Sequence, residues 1–145
     1  EIALTGLPRY DNLENESKKI IAIMPTWRKY LRGKTIKNTG ITKYSSEFKE
    51  SEYFKHYNQL INDEDILSLM REKGYQGIFV VHPSHVNNSK DFEGNDVFEI
   101  NSGFADYQKI FREANLLVTD YSSVHFDFAY LRKPVVYSQF DKPLP

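Results

Sequence analysis

The sequence predicts an α/β fold built on an open parallel sheet. Short runs of β-branched and aliphatic residues alternate along the chain with segments of helical periodicity, the pattern of strands joined by crossover helices. A length of 145 residues with 40% hydrophobic and 27% charged content is enough to bury one core and is not the profile of a disordered chain, so one ordered domain is expected. Ten tyrosines and ten phenylalanines suit aromatic layers in that core, or a surface that meets a ring-bearing ligand.

The elements follow in order. Lys19 to Met24 reads as a buried strand stopped by Pro25. Ser51 to Ile61 places Tyr53, Phe54, Tyr57, Leu60 and Ile61 at helical spacing behind Ser51 as N-cap. A second helix starts at the cap Asp63, carries acidic residues in its first turn and ends before Gly74. Gly77 to Val81 is a short strand ending at His82-Pro83, and Val97 to Ile100 is another. Asp106 caps a helix through Tyr107, Ile110, Phe111 and Ala114, and Leu116 to Thr119 forms the next buried strand. A helix from about Ser123 to Leu131 and a strand from Pro134 to Tyr137 close the series. No internal repeat or low-complexity tract interrupts it.

Composition limits the function classes. A formal net charge of -1 speaks against a nucleic-acid binder. The local balance differs: between Trp27 and Ser46 lie Arg28, Lys29, Arg32, Lys34, Lys37 and Lys43 with no Asp or Glu among them. That stretch is a solvated basic loop or a contact for a phosphate-rich ligand or an anionic membrane surface. The absence of cysteine removes disulfides, thiolate metal sites and cysteine nucleophiles. No apolar run approaches the roughly 20 residues that span a bilayer, and Glu1-Ile2-Ala3-Leu4 lacks the basic start of a signal peptide. Any membrane contact is therefore expected to be peripheral. The chain begins without Met and ends just past its last strand, so it reads as a piece of a longer protein.

In an open parallel sheet, ligands gather beyond the carboxyl ends of the strands. Three such ends carry polar residues: Pro25-Thr26-Trp27-Arg28, His82-Pro83-Ser84-His85 and Thr119-Asp120-Tyr121-Ser122-Ser123. The third leads from a buried strand into a helix start, whose free N–H groups and dipole favour an anion and to which Ser122 and Ser123 add hydroxyls. Plain N-capping by Ser122 or Asp120 is the other reading. His82, held extended by Pro83, either donates to a phosphate oxygen or bonds a nearby carbonyl. Arg28 offers a forked contact to phosphate or lies on the surface. Asp127, one turn past Ser123, faces back toward a ligand to hold its hydroxyls, or serves as a cap or ion-pair partner. His85 is expected to be exposed in a polar loop. His56 and His125 complete the four histidines, and no HExxH-like or paired carboxylate arrangement appears, so neither a metal nor another cofactor is expected. Glycine-rich phosphate loops of the Walker and GxGxxG types are absent, which leaves the helix start as the route to phosphate.

Taken in order, Thr5-Gly6-Leu7-Pro8-Arg9-Tyr10-Asp11, Met24-Pro25-Thr26-Trp27-Arg28, His82-Pro83, Thr119-Asp120-Tyr121-Ser122-Ser123, Phe126-Asp127-Phe128 and Lys133-Pro134 resemble the CDP-glycerol glycerophosphotransferase family of teichoic acid synthesis. The resemblance implies a GT-B enzyme of two Rossmann-like domains, of which residues 19–145 would be most of the C-terminal, nucleotide-donor half. Residues 1–18 would lead in from an N-terminal acceptor domain. It implies transfer of glycerol phosphate from CDP-glycerol to a lipid-linked polyol phosphate acceptor, with release of CMP, on the inner face of the bacterial membrane. Carried over by motif, His82 is the catalytic candidate; His82, Ser122, Ser123, Thr119 and Arg28 would meet the donor phosphates; Asp127 and Asp120 would meet the glycerol end or support it. The family's general base is a histidine of the preceding domain, so this piece is expected to bind donor and turn over little. A transferase for CDP-ribitol, a capsule polymer synthase and a non-catalytic nucleotide-binding module are the competing readings.

Overall fold

The computed structural model describes residues 3, 6–31, 33–102 and 105–141. Glu1, Ile2, Leu4, Thr5, Arg32 and 142–145, on which the sequence reading drew, lie outside the described residues.

Five strands form one parallel sheet among the described residues: β1 (Ile20–Ile23), β2 (Gln76–Val80), β3 (Phe98–Asn101), β4 (Ala114–Thr119) and β5 (Val135–Tyr137), in the spatial order β3-β2-β1-β4-β5. This is the Rossmann-like arrangement, with the order reversing at β1. Each strand lies within two residues of its predicted start. The helices are α1 (Glu52–Ile61), α2 (Glu64–Lys73), α3 (Tyr107–Glu113) and α4 (His125–Tyr130).

Local chemistry sets the boundaries. Ser51 accepts from Phe54 N at 3.1 Å, Asp63 from Asp65 N and Ile66 N, and Asp106 from Lys109 N at 3.0 Å, so each predicted cap takes up N–H groups that have no intrahelical partner. Gly74 ends α2 in the left-handed region at φ 69°, where a Cβ would be strained. The one helix that departs from expectation is α4. It begins at His125, two residues later than the pattern suggests, and Val124 stands at its N-cap without a side-chain bond.

Both faces of the sheet are covered. Ile23, Phe79 and Phe98 point to the α1/α2 side, against Tyr53, Tyr57, Ile61 and Met70. Phe79, Phe92 and Phe48 pack there in sequence, tilted and then edge-on, with ring centroids at 4.7 and 5.9 Å, which realises the aromatic core that the composition suggests. Ala22, Met24, Val80 and Leu117 face the other way, onto Ile110, Phe111 and Phe128 of α3 and α4. At Gly77 a Cβ would collide with the Phe98 ring on the neighbouring strand, so glycine is required for β2 and β3 to pack.

Lys133 holds the second layer together. It is 6% exposed, and its ammonium donates to the carbonyls of Phe111 (2.6 Å), Arg112 (2.7 Å) and Ala114 (2.7 Å), the terminal acceptors of α3 as the chain turns into β4. Three donors meet three carbonyls at the end of α3, the Arg112 one shared with Glu16 N, which satisfies a buried helix end from the loop after α4. Replacing Lys133 with Met keeps the apolar stem and removes all three donors. It should lower the unfolding free energy by about 2–4 kcal/mol, read from urea midpoints, whereas a loss below about 1 kcal/mol would mean that the carbonyls find other donors.

Candidate functional site

Because β1, β2 and β4 are parallel neighbours, the three polar strand ends of the sequence meet at one edge of the sheet. The crevice at β1/β4, where the strand order reverses, is the place where open α/β sheets bind ligands.

At its floor lies Asp120, 1% exposed. One carboxylate oxygen accepts from Thr26 N (2.9 Å) and Tyr121 N (2.6 Å), the other from Arg28 Nη1 (2.8 Å) and the Tyr57 hydroxyl (3.0 Å). Burial pushes the Asp120 carboxyl up, but the Thr26 and Tyr121 N–H groups and the Arg28 guanidinium outweigh it and hold it below its ordinary value. The Tyr57 phenol is pushed up by burial and then by the Asp120 charge, so it keeps the proton it donates. Arg28 is 7% exposed. It also donates to Thr26 O at 2.7 Å, and its Nε and Nη2 form a fork onto Asp141, the Nη2 contact being 2.9 Å. Its guanidinium lies over Tyr53, Tyr121 and Phe140, with 5.2 Å to the Tyr121 centroid. The fork that sequence reading aimed at phosphate is thus directed at two carboxylates and a carbonyl of the protein.

At the same edge is a cavity of about 220 Å³ lined by Met24 and Pro25 after β1, Val80 at the end of β2 and His82 past it, Tyr107 of α3, and Ser122 and Val124 before α4. His82 is half-buried, and its Nδ1 accepts from Ser84 N at 3.2 Å. The proton of the neutral ring therefore sits on Nε2, which is a donor. Burial lowers the His82 pKa, with the Asp120 charge opposing, so the neutral form holds at neutral pH. Ser122 takes only a long bond, 3.4 Å, from Val124 N, while its carbonyl accepts from His125 Nδ1 at 2.7 Å. Ser123 is exposed in the turn, where its carbonyl accepts from Phe126 N. Neither Ser122 nor Asp120 caps α4, the other reading of this turn: Val124 stands at the N-cap with no side-chain bond, and Asp120 takes the Tyr121 N–H instead.

The other expected site residues are placed differently. Thr119 is fully buried and its hydroxyl donates to Met24 O at 2.7 Å, which ties β4 to the end of β1. Asp127, 6% exposed, faces the N-terminal segment and pairs with Arg9 Nε at 3.3 Å, while Tyr10 stacks on Tyr130 at 4.5 Å. His85, expected on the surface, is 1% exposed. The polar stretch after Pro83 folds into 3-10 turns from Pro83 to Asp91, which turn His85 inward against Phe48 and Tyr53. Burial lowers its pKa to about 4. His56 bonds Ser138 at 2.7 Å and stacks on Phe140.

Sequence reasoning missed Tyr57, Asp141 and Arg9. Tyr57 reads as an ordinary apolar helix position, and its role depends on a carboxylate 63 residues away. Asp141 lies past the last strand with no pattern to mark it. Among the described residues no cluster of three or more His, Asp or Glu could hold a metal ion, and no helix is long and apolar enough to cross a membrane.

A profile of the family described as CDP-glycerol:poly(glycerophosphate) glycerophosphotransferase matches residues 1–143. The minor teichoic acid biosynthesis protein GgaB of Bacillus subtilis is 44% identical over 142 residues, which are 97% of this chain and 16% of that protein. The teichoic acid poly(ribitol-phosphate) polymerase of Bacillus spizizenii is 28% identical over 142 residues, covering 97% of this chain and 22% of that protein. The teichoic acid poly(glycerol phosphate) polymerase of Bacillus subtilis is 27% identical over 152 residues, covering 92% and 18%. The chain thus spans between 16% and 22% of the length of these three relatives. No solved structure matches it.

The Asp120 carboxylate gives the site an acid limit. Its folded pKa is depressed, so its stabilisation is fully present above the ordinary value of 3.8 and is lost as pH falls through the lower folded value. Asp120→Asn should cost about 3–5 kcal/mol at neutral pH because Arg28 loses a buried partner. In urea unfolding followed from neutral pH into acid, the gap to the unsubstituted chain should close below pH 3.8; a gap constant with pH would separate the carboxylate's charge from its role.

Proposed function

The chain belongs to the CDP-glycerol:poly(glycerophosphate) glycerophosphotransferase family, and from that premise we propose that its carboxyl edge binds the nucleotide-linked donor of a teichoic acid transferase. The observation that carries the reading is the cavity at the switch point, where His82 and Ser122 meet the ends of β1 and β2. Its volume of about 220 Å³ suits a diphosphate rather than a whole nucleotide. The donor on this reading is CDP-glycerol, and residues 19–145 are the donor half of a GT-B enzyme whose segment 1–18 leads in from an acceptor domain.

In the proposed reaction the terminal hydroxyl oxygen of a lipid-linked polyol phosphate attacks the phosphorus of the glycerol phosphate group. The P–O bond to CMP breaks, CMP departs with the electron pair, and the hydroxyl proton passes to a base, which the family resemblance places in the acceptor domain. Phosphoryl transfer asks mainly for positioning and for donors where charge accumulates. His82 Nε2–H supplies one, the Ser122 and Ser123 hydroxyls two more, and the N–H groups of the turn before His125 add backbone donors. Arg28, Thr119 and Asp120 act through the backbone as positioning residues: Arg28 and Asp120 fix the Thr26 and Tyr121 loops, and Thr119 locks β4 to Met24. Asp127 supports α4 through Arg9. On this reading the reaction runs at the inner face of the membrane, with the chain in peripheral contact, in keeping with the absence among the described residues of a helix long and apolar enough to cross a bilayer.

A ribitol donor is the second reading, because the relative named for ribitol phosphate is 28% identical and the one named for glycerol phosphate 27%. Calorimetric titration of the chain with CDP-glycerol, CDP-ribitol and UDP-glucose separates the two. A CDP-alditol should bind most tightly, and tightest binding of UDP-glucose would overturn the donor class. His82→Ala, and Ser122→Ala with Ser123→Ala, should each weaken donor binding about tenfold, near 1.4 kcal/mol. Unchanged affinity in both removes the proposed clamp.

A further inference from the structure

The basic stretch beyond β1 folds back on itself as a two-stranded ribbon. Thr35 and Thr42 form an antiparallel bridge, Lys43 N donates to Lys34 O at 2.8 Å, and Ile36 N donates to Ile41 O at 2.8 Å. The tip turns through Asn38 at φ 63° and Gly40 at φ 69°. The register decides which side chains share a face. Thr35 and Thr42 lie on one side, and Thr42 is fastened to the body: its amide (2.9 Å) and hydroxyl (2.7 Å) both donate to Ser84 O, and its carbonyl accepts from Asn87 Nδ2 at 2.7 Å. Lys34, Ile36, Ile41 and Lys43 therefore share the outward side.

That register sets Lys34 directly across from Lys43, both exposed. Opposed residues in an antiparallel ribbon have Cβ atoms about 5 Å apart, and like charges there are destabilising. The sequence supplies no Asp or Glu between Trp27 and Ser46 to offset them. Both side chains are exposed, so the pair presents two positive charges to an anion from outside the ribbon. The position of the ribbon says which one. It is bonded to Ser84 and Asn87, two and five residues past His82, so it stands at the carboxyl edge near the donor cavity. A second cavity of about 310 Å³ borders it, lined by Tyr30, Leu31, Thr42, Lys43, Glu47 and His85.

We propose that the opposed Lys34 and Lys43 of this ribbon bind the phosphodiesters of the growing poly(alditol phosphate) chain, forming an acceptor-polymer subsite near the donor cavity. This rests on the transferase reading above, and it assigns that reaction's acceptor a place on this chain. A repeating monoanionic phosphodiester fits two adjacent point charges on a narrow ribbon. A bilayer surface calls for a broader apolar face, and Ile36, at 40% exposed, with the half-buried Ile41 across from it, supplies only a small one.

The test titrates the chain with a short synthetic oligo(glycerol phosphate) between about 50 and 200 mM salt and, in parallel, sediments it with phosphatidylglycerol vesicles. The oligomer should bind with a salt-dependent affinity. Lys34→Gln with Lys43→Gln should weaken it about tenfold and flatten the salt slope, with CDP-glycerol affinity unchanged. Lys34→Glu should abolish oligomer binding without lowering the unfolding midpoint, because it gives Lys43 a cross-strand partner. Oligomer affinity unchanged in the double variant overturns the subsite. So does vesicle binding that depends on these lysines in a chain that ignores the oligomer. Failure of CDP-glycerol to bind the unsubstituted chain counts against the donor reading alone.

Discussion

The carboxyl edge of this sheet depends on one buried ion pair. A parallel sheet brings the ends of β1 and β4 side by side, but the loops leaving them diverge into different layers, and nothing in the sheet ladder holds them in register past its last bond. Asp120 does. It gathers the Thr26 amide from one loop, the Tyr121 amide from the other, and the Tyr57 hydroxyl from α1. Arg28 closes the set by reaching Asp120 and Asp141 at once, beneath the Tyr121 ring. A buried carboxylate and guanidinium are costly to desolvate, and such a pair is weak evidence for net stability. What it supplies here is geometry: every polar atom of the pair is directed, so the loops that flank the cavity have few alternatives.

This arrangement also explains why residues in the same motif do different work. Thr119, Asp120 and Arg28 point down, into the fold, and bond to it; His82 and Ser122 line the cavity at the same edge. An arginine bound to two carboxylates would be a poor ligand for a mobile diphosphate, because each contact to the ligand would have to be exchanged for one already made. A histidine that lines the cavity, with its Nδ1 taken by Ser84 N and its proton on Nε2, would be a better one.

Much of the fold was legible because its signals are local. The caps Ser51, Asp63 and Asp106, the left-handed Gly74 and the apolar strand runs each rest on neighbours within a few residues. The convergence of three strand ends on one edge followed from parallel order alone. What was not legible depended on distant partners. His85 looked like a loop residue because its burial is decided by Phe48 and Tyr53, more than thirty residues earlier in the chain. Arg28 looked like a free fork because Asp141 lies 113 residues on. The ribbon from 34 to 43 read as a basic loop because lysines mask its alternation, and only its register sets Lys34 opposite Lys43.

The same contrast bears on α4. At six residues it is too short to hold its own position, and the turn carrying Ser122 and Ser123 precedes it directly. Its stability is borrowed: Phe128 is fully buried on the sheet, Lys133 anchors the exit to α3, Asp127 pairs with Arg9, and Tyr130 stacks on Tyr10. Two of these four supports come from the segment before β1. The His125 Nδ1–H bond to Ser122 O then passes the position of the helix back to the serine turn, since a carbonyl can only accept. The N-terminal segment is therefore mechanically continuous with the cavity lined by His82 and Ser122: a displacement of Arg9 and Tyr10 would pass through their contacts with Asp127 and Tyr130 into α4, and from α4 through the His125 bond to Ser122, without any change in the sheet.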